Sequence, residues 1–181
     1  MPELQVLRRQ HFGISNFAFP TGAAFLSDPA SRGVQLEISA RLTFPLFRTG
    51  RFGLRVLANA SSRAGSTVAE YTEVGFERTA NHSRVFVDRR RSSGGVRDAD
   101  VRSGPWVPSG SLTTNLHVFV DRSIVTLIAD NVTSISVWVH PTDVASERVA
   151  LFSTVRGVKA ERVDVWQLAD PGDVSPGAGP Y

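Results

Sequence analysis

Residues 34–44 alternate without a break: Val34, Leu36, Ile38, Ala40, Leu42 and Phe44 take turns with Gln35, Glu37, Ser39, Arg41 and Thr43. A period of two sustained over that length requires an extended strand with one buried and one wet face. Pro45 ends it, because proline cannot donate to a ladder. Phe52, Leu54, Val56 and Ala58 repeat the pattern, and further candidate strands lie at 68–76, 84–88, 116–121, 124–129, 134–140, 148–153 and 161–168. Turn residues separate them: Arg63-Ala-Gly-Ser66, Ser92-Ser-Gly-Gly95, Asp130-Asn131, His140-Pro-Thr-Asp143 and Arg156-Gly157. No long helical stripe interrupts the series. Many short strands without intervening helices read as an all-β chain, an antiparallel sandwich or barrel.

At 181 residues the chain fits one domain with a substantial core. It contains no cysteine, which excludes disulfides, thiolate metal sites and a cysteine nucleophile. The net charge of +3 comes from arginine, Lys159 being the only lysine. Arg89-Arg-Arg91 is the densest basic cluster, but Asp98 and Asp100 follow it, and no basic face interleaved with aromatics points to nucleic acid. No apolar run reaches bilayer length, and the first ten residues lack the apolar core of a signal peptide. His11, His82, His117 and His140 are scattered without metal-ligand spacing, so no metal or cofactor is expected. No Gly-x-Ser-x-Gly elbow is present to hold a serine nucleophile.

The pentapeptide Val-Phe-Val-Asp-Arg occurs twice, ending in Asp88-Arg89 and again in Asp121-Arg122. The first copy runs on into Arg90-Arg-Ser-Ser-Gly94, and the second lies within the run from Leu116 to Asn131. These pieces, with Trp138-Val-His-Pro-Thr142 and Val163-Asp-Val-Trp-Gln-Leu168, resemble the C-terminal β-sandwich of glycoside hydrolase family 32, the invertases, inulinases and levanases. Pro2-Glu-Leu-Gln-Val-Leu-Arg8 is similar to that family's segment joining propeller to sandwich. One departure stands out: Thr126 and Ile128 replace the family's usual glutamate and aromatic. The resemblance implies a concanavalin-like two-sheet sandwich. With it the chain divides into an entry segment (1–30), a sandwich (31–169) and a tail (170–181) whose Pro/Gly-rich composition and few apolar anchors predict mobility, and the resemblance implies a chain starting at a domain boundary.

Family members cleave fructosyl bonds with two carboxylates on the propeller. The Asn-Asp-Pro-Asn-Gly, Arg-Asp-Pro and Glu-Cys blocks that carry them are missing here, so no catalytic residue is carried over. The resemblance implies a non-catalytic accessory domain that stabilises the catalytic β-propeller or builds a homodimer. The alternative is a stand-alone lectin-like module that binds fructan. Asp88, Arg89, Asp121 and Arg122 are expected to form one structural charge cluster if their strands pair.

Trp106, Trp138 and Trp166 are candidate sugar or interface contacts. Alternation places Trp138 with Ser136 and His140, and Trp166 with Arg162 and Asp164, outside the core phase. Phe17, Phe19 and Phe25 could instead cover these rings. Trp106, between Gly104-Pro105 and Pro108, is expected on a loop with an exposed ring. Asn59, Asn81 and Asn131 each open an Asn-x-Ser/Thr sequon, which favours a secreted or vacuolar parent. A chain merely rich in serine and threonine accounts for them equally well.

Overall fold

The computed structural model describes residues 5–45, 48–59, 70–93, 100–108 and 113–170. The turn expected at 63–66, the Gly94-Gly95 pair and the tail beyond 170 lie outside them. Among the described residues, twelve strands form two six-stranded antiparallel sheets. They are β1 (Arg8–Ala18), β2 (Gly22–Phe25), β3 (Gln35–Thr43), β4 (Gly50–Ala58), β5 (Thr72–Arg78), β6 (Ser83–Asp88), β7 (Val101–Pro105), β8 (Thr113–Asp121), β9 (Ile124–Ala129), β10 (Thr133–Trp138), β11 (Arg148–Ser153) and β12 (Lys159–Leu168). The first sheet runs β1-β12-β3-β8-β9-β10 and the second β2-β11-β4-β5-β6-β7. A two-sheet sandwich results, as the family resemblance implied.

The core lies between the sheets. Leu36, Ile38, Ala40 and Leu42 of β3 meet it beside Val118 and Val120 of β8 and Val163 and Val165 of β12. Phe52, Leu54 and Val56 of β4, Val74 and Phe76 of β5, and Val85 and Val87 of β6 contribute from the other sheet. The residues named alternate along their strands, which is what the pleat dictates.

Residues 8–25, expected outside the sandwich, are within it: β1 pairs with β12 and β2 with β11, as the edge strands of the two sheets. The reason is burial. Phe12, Ile14 and Phe17 pack against the core from β1.

The outer face of the second sheet has a small apolar layer of its own. Gly53 and Gly75 are cross-strand neighbours, flanked by Phe152 and Phe86 in register. A Cβ on Gly53 would lie 2.2 Å from the Val74 carbonyl oxygen. The side-chain-free pair lets the two rings approach to 6.5 Å between centroids. Arg51 and Arg55 roof these rings and form ion pairs with Glu73, Glu77 and Asp88.

Candidate functional site

The two copies of Val-Phe-Val-Asp-Arg do not pair. β6 lies between β5 and β7 in one sheet, and β8 between β3 and β9 in the other. The single charge cluster expected of Asp88, Arg89, Asp121 and Arg122 therefore does not form, and the four residues go separate ways. Asp88 is buried and accepts hydrogen bonds from Arg51 (3.0 Å) and from Nη2 of Arg90 (2.7 Å). It helps line a pocket of about 350 Å³ with Arg51, Tyr71, Glu73, Arg90 and Arg91. Burial pushes the Asp88 carboxyl up, but hydrogen bonds from Arg90 and Arg51 outweigh it and hold the group below its usual range. Asp121 is exposed, with the Gln35 amide 3.5 Å away. Arg122 turns the β8–β9 hairpin at φ 52°, and its guanidinium reaches Asp170 at 2.5 Å.

Arg89 spans the sandwich. Its guanidinium donates to Asp100 (2.8 and 2.5 Å) and, through Nη1, to the Trp138 carbonyl (2.7 Å). The bond ties the end of β6 in one sheet to the end of β10 in the other. Between the two sheet edges lies a groove of about 440 Å³, lined by Arg89, Arg102, Ser103, Ser134, Ser136 and Trp138 among others.

The three tryptophans have three fates. Trp138 faces outward and is 61% exposed, the direction that alternation dictates. Trp166 also faces outward, but His11 stacks on it at 5.1 Å and the Arg8 guanidinium lies 3.9 Å from its ring centre. The cover comes from β1, through His11 and Arg8 rather than through phenylalanine. Trp106 sits on a loop as expected, yet its ring is only 5% exposed. It packs among Phe44, Phe52 and Phe76, and its indole N–H donates to Asp130 at 3.3 Å. A proline-flanked loop does not dictate where its side chain goes, and this ring closes the end of the core.

Alternation assigns Glu37 to the wet face of β3. Its neighbours bury it there, and only 2% of the residue is exposed. Arg8 grips the carboxylate with two bonds, Nε to Oε2 at 2.7 Å and Nη2 to Oε1 at 2.6 Å, and His117 adds a third at 2.9 Å. Burial raises this carboxyl, and the Arg8 and His117 bonds more than reverse the effect, leaving it low. Beside it Asp164 accepts from Arg162 and pairs with the His11 ring at 2.8 Å. Burial again opposes these partners, and the Asp164 carboxyl ends below its usual value. Nothing local in the sequence marks this cluster. Its members come from β1, β3, β8 and β12, which only the strand order brings together.

Asn81 and Asn131 are exposed, Asn131 in a turn where it and Asp130 both have positive φ. Asn59 is 4% exposed, and its side-chain amide donates to Asp143 at 3.1 Å while its carbonyl accepts from the Glu70 N–H. The Asn59 amide is thus committed inside the fold, which removes it as a glycan acceptor in the folded chain. Glu70 accepts from the N–H groups of Thr142 and Asp143 and from the Ser146 hydroxyl, pinning that loop. Burial raises its carboxyl, but these bonds together hold it low. Among the described residues no group of three His, Asp or Glu side chains is placed to hold a metal ion.

A family model described as "Glycosyl hydrolases family 32 C terminal" matches residues 3–167. No curated protein matches the chain. Among solved structures, fructan 1-exohydrolase IIa from Cichorium intybus superposes with a TM-score of 0.75 at 15% identity, over 93% of this chain and 37% of that one. A β-fructofuranosidase from Aspergillus kawachii gives 0.71 at 23% identity, over 90% and 28%. A fructofuranosidase from Schwanniomyces occidentalis gives 0.66 at 10%, over 90% and 34%. The chain spans roughly a third of each of these proteins.

Proposed function

The chain belongs to the family of C-terminal domains of glycosyl hydrolases family 32, and from that membership we propose that it is the non-catalytic accessory sandwich of a fructan- or sucrose-hydrolysing glycosidase, seated against a catalytic β-propeller. The observation that carries this reading is the outer face of the first sheet, the one that β1 edges. Both outer faces carry rings and paired charges: the second sheet presents Arg51, Arg55, Glu73, Glu77, Arg84 and Asp88 with the Phe86 and Phe152 rings beneath the two arginines. The first presents Trp166 and Phe119 around the buried Glu37, with His11 and His117 locked to carboxylates. A face of half-covered rings and pre-paired charges loses little when water is removed, because its ions already have partners. It also lies where β1 begins, next to the segment that resembles the propeller connection.

The same geometry supports a non-catalytic role. Glu73 and Asp88 are cross-strand neighbours in one pocket, the raw material of a two-carboxylate glycosidase. Arg51 binds both, at 3.3 and 3.0 Å. Asp88 is engaged by Arg90 as well as by Arg51, so its oxygens are committed to ion pairs rather than open to a sugar.

The test is to co-express the chain with the catalytic propeller from the same source, then follow co-purification, thermal melting and fructose release. The expected result is a more stable propeller with the chain present, and loss of co-purification with Phe119→Arg. A propeller that is equally stable and active alone would overturn the reading.

A further inference from the structure

We propose that the groove between the edges of the two sheets, with Trp138 at its mouth, is a binding site for a neutral sugar chain. Trp138 is the largest of the exposed apolar side chains among the described residues, and its indole stands free of any ring partner, whereas Trp166 and Trp106 are covered. An open indole face offers the apolar side of a sugar ring a platform, since stacked C–H groups are attracted to the electron-rich face. The rest of the lining supplies what such a ring needs at its rim. Ser103 from β7 and Ser134 and Ser136 from β10 bring hydroxyls that both donate and accept. Those of Ser103 and Ser134 make no hydrogen bond to another described residue, while Ser136 shares one with Thr126.

The donors are held in place before any ligand arrives. Arg89 is fixed on two sides, by Asp100 and by the backbone carbonyl of Trp138 itself. Arg102 is tied to the other oxygen of the same carboxylate at 2.7 Å. Asp100 thus neutralises one of the two guanidinium charges and holds both groups in fixed positions at the rim of the groove. β10 and β7 are also the outer strands of their sheets, and an edge strand offers backbone N–H and C=O groups that a hydroxyl-rich chain can use. At about 440 Å³ the groove is in the size range of small-ligand sites.

This site rests on the groove and not on the docking proposal. It lies at the β10 edge of the first sheet, whereas the cluster around Glu37 lies toward the β1 edge. It is tested on this chain alone, by affinity electrophoresis and isothermal titration with inulin, levan and dextran. The expected result is binding to at least one of the three, weakened roughly tenfold or more by Trp138→Ala. Ser134→Arg, which fills the groove while leaving the indole in place, should weaken it too. Both positions are exposed, so both variants should melt like the parent. Absence of binding to all three polymers, or equal binding by Trp138→Ala and parent, overturns the proposal.

Discussion

Arg8→Ala tests whether the first strand is held into the sandwich by charge. The variant removes two bonds to a carboxylate that is itself 2% exposed. Stripping one partner from a buried ion pair costs about 3–5 kcal/mol, because the remaining charge stays desolvated. Two features reduce that figure: the Arg8 side chain is 27% exposed, so water can enter where it stood, and His117 still reaches Glu37. Loss of the cation–π contact with Trp166 adds back about 0.5–1 kcal/mol. The balance is about 2–3 kcal/mol, which for a chain of this size lowers Tm by about 5–10 °C. Thermal unfolding followed by circular dichroism, at low and high salt, measures it. The double variant Arg8→Met/Glu37→Leu should recover much of the loss, since it removes the buried carboxylate together with its partner. An Arg8→Ala chain that melts within 1 °C or so of the parent, or a double variant less stable than the single one, would refute the argument.

Asp88→Asn should cost about 1–3 kcal/mol because Arg51 and Arg90 lose their charged partner, whereas Asp121→Asn, at an exposed site, should stay within about 0.5 kcal/mol; urea titration of both separates the twin motifs. Trp106→Ala should cost about 3–5 kcal/mol, read as a lowered urea midpoint, since the cavity opens among Phe44, Phe52 and Phe76. Glu37, Glu70, Asp88 and Asp164 all have carboxyls below their usual values of 4.5 and 3.8. A lowered folded pKa contributes stability that is complete above the unfolded value and lost as pH falls through the folded one. Tm should therefore hold near neutrality and fall progressively in acid below about pH 4, and Glu37→Gln should flatten part of that fall.

The alternation of β3 and β4, the span of β11 and the Asp130-Asn131 turn were legible in the residues, because each depends on local periodicity or on a local dihedral. β7 was not, since Val-Arg-Ser-Gly-Pro has no alternation to read. β1 carries a signal in Phe12 and Ile14 alternating with His11 and Gly13, but its polar opening, Arg8-Arg9-Gln10, and Asn16 at positive φ leave the pattern too short to stand out. Strand identity also proved easier than strand partnership. Phe86-Val-Asp88 and Phe119-Val-Asp121 are identical locally, and only the long-range order places one in each sheet. Of the site, Trp138 followed from alternation. The Arg89 bridge and the Glu37 clamp did not, because both join strands distant in sequence.

The place of β12 between β1 and β3 has a consequence for synthesis. β1 is paired with β12 alone among the strands, yet β12 begins at Lys159 and β1 ends at Ala18. At typical elongation rates of 5–20 residues per second, roughly 7–30 s separate the two on the ribosome. Throughout that interval the slot beside β3 is empty and the Phe12 and Ile14 side chains have no sheet to join. Two adhesive edges stand open in the nascent chain, one on β1 and one on β3. The chain can close its first sheet only once β12 emerges, so a pause before Lys159 is read is the moment of greatest exposure to aggregation.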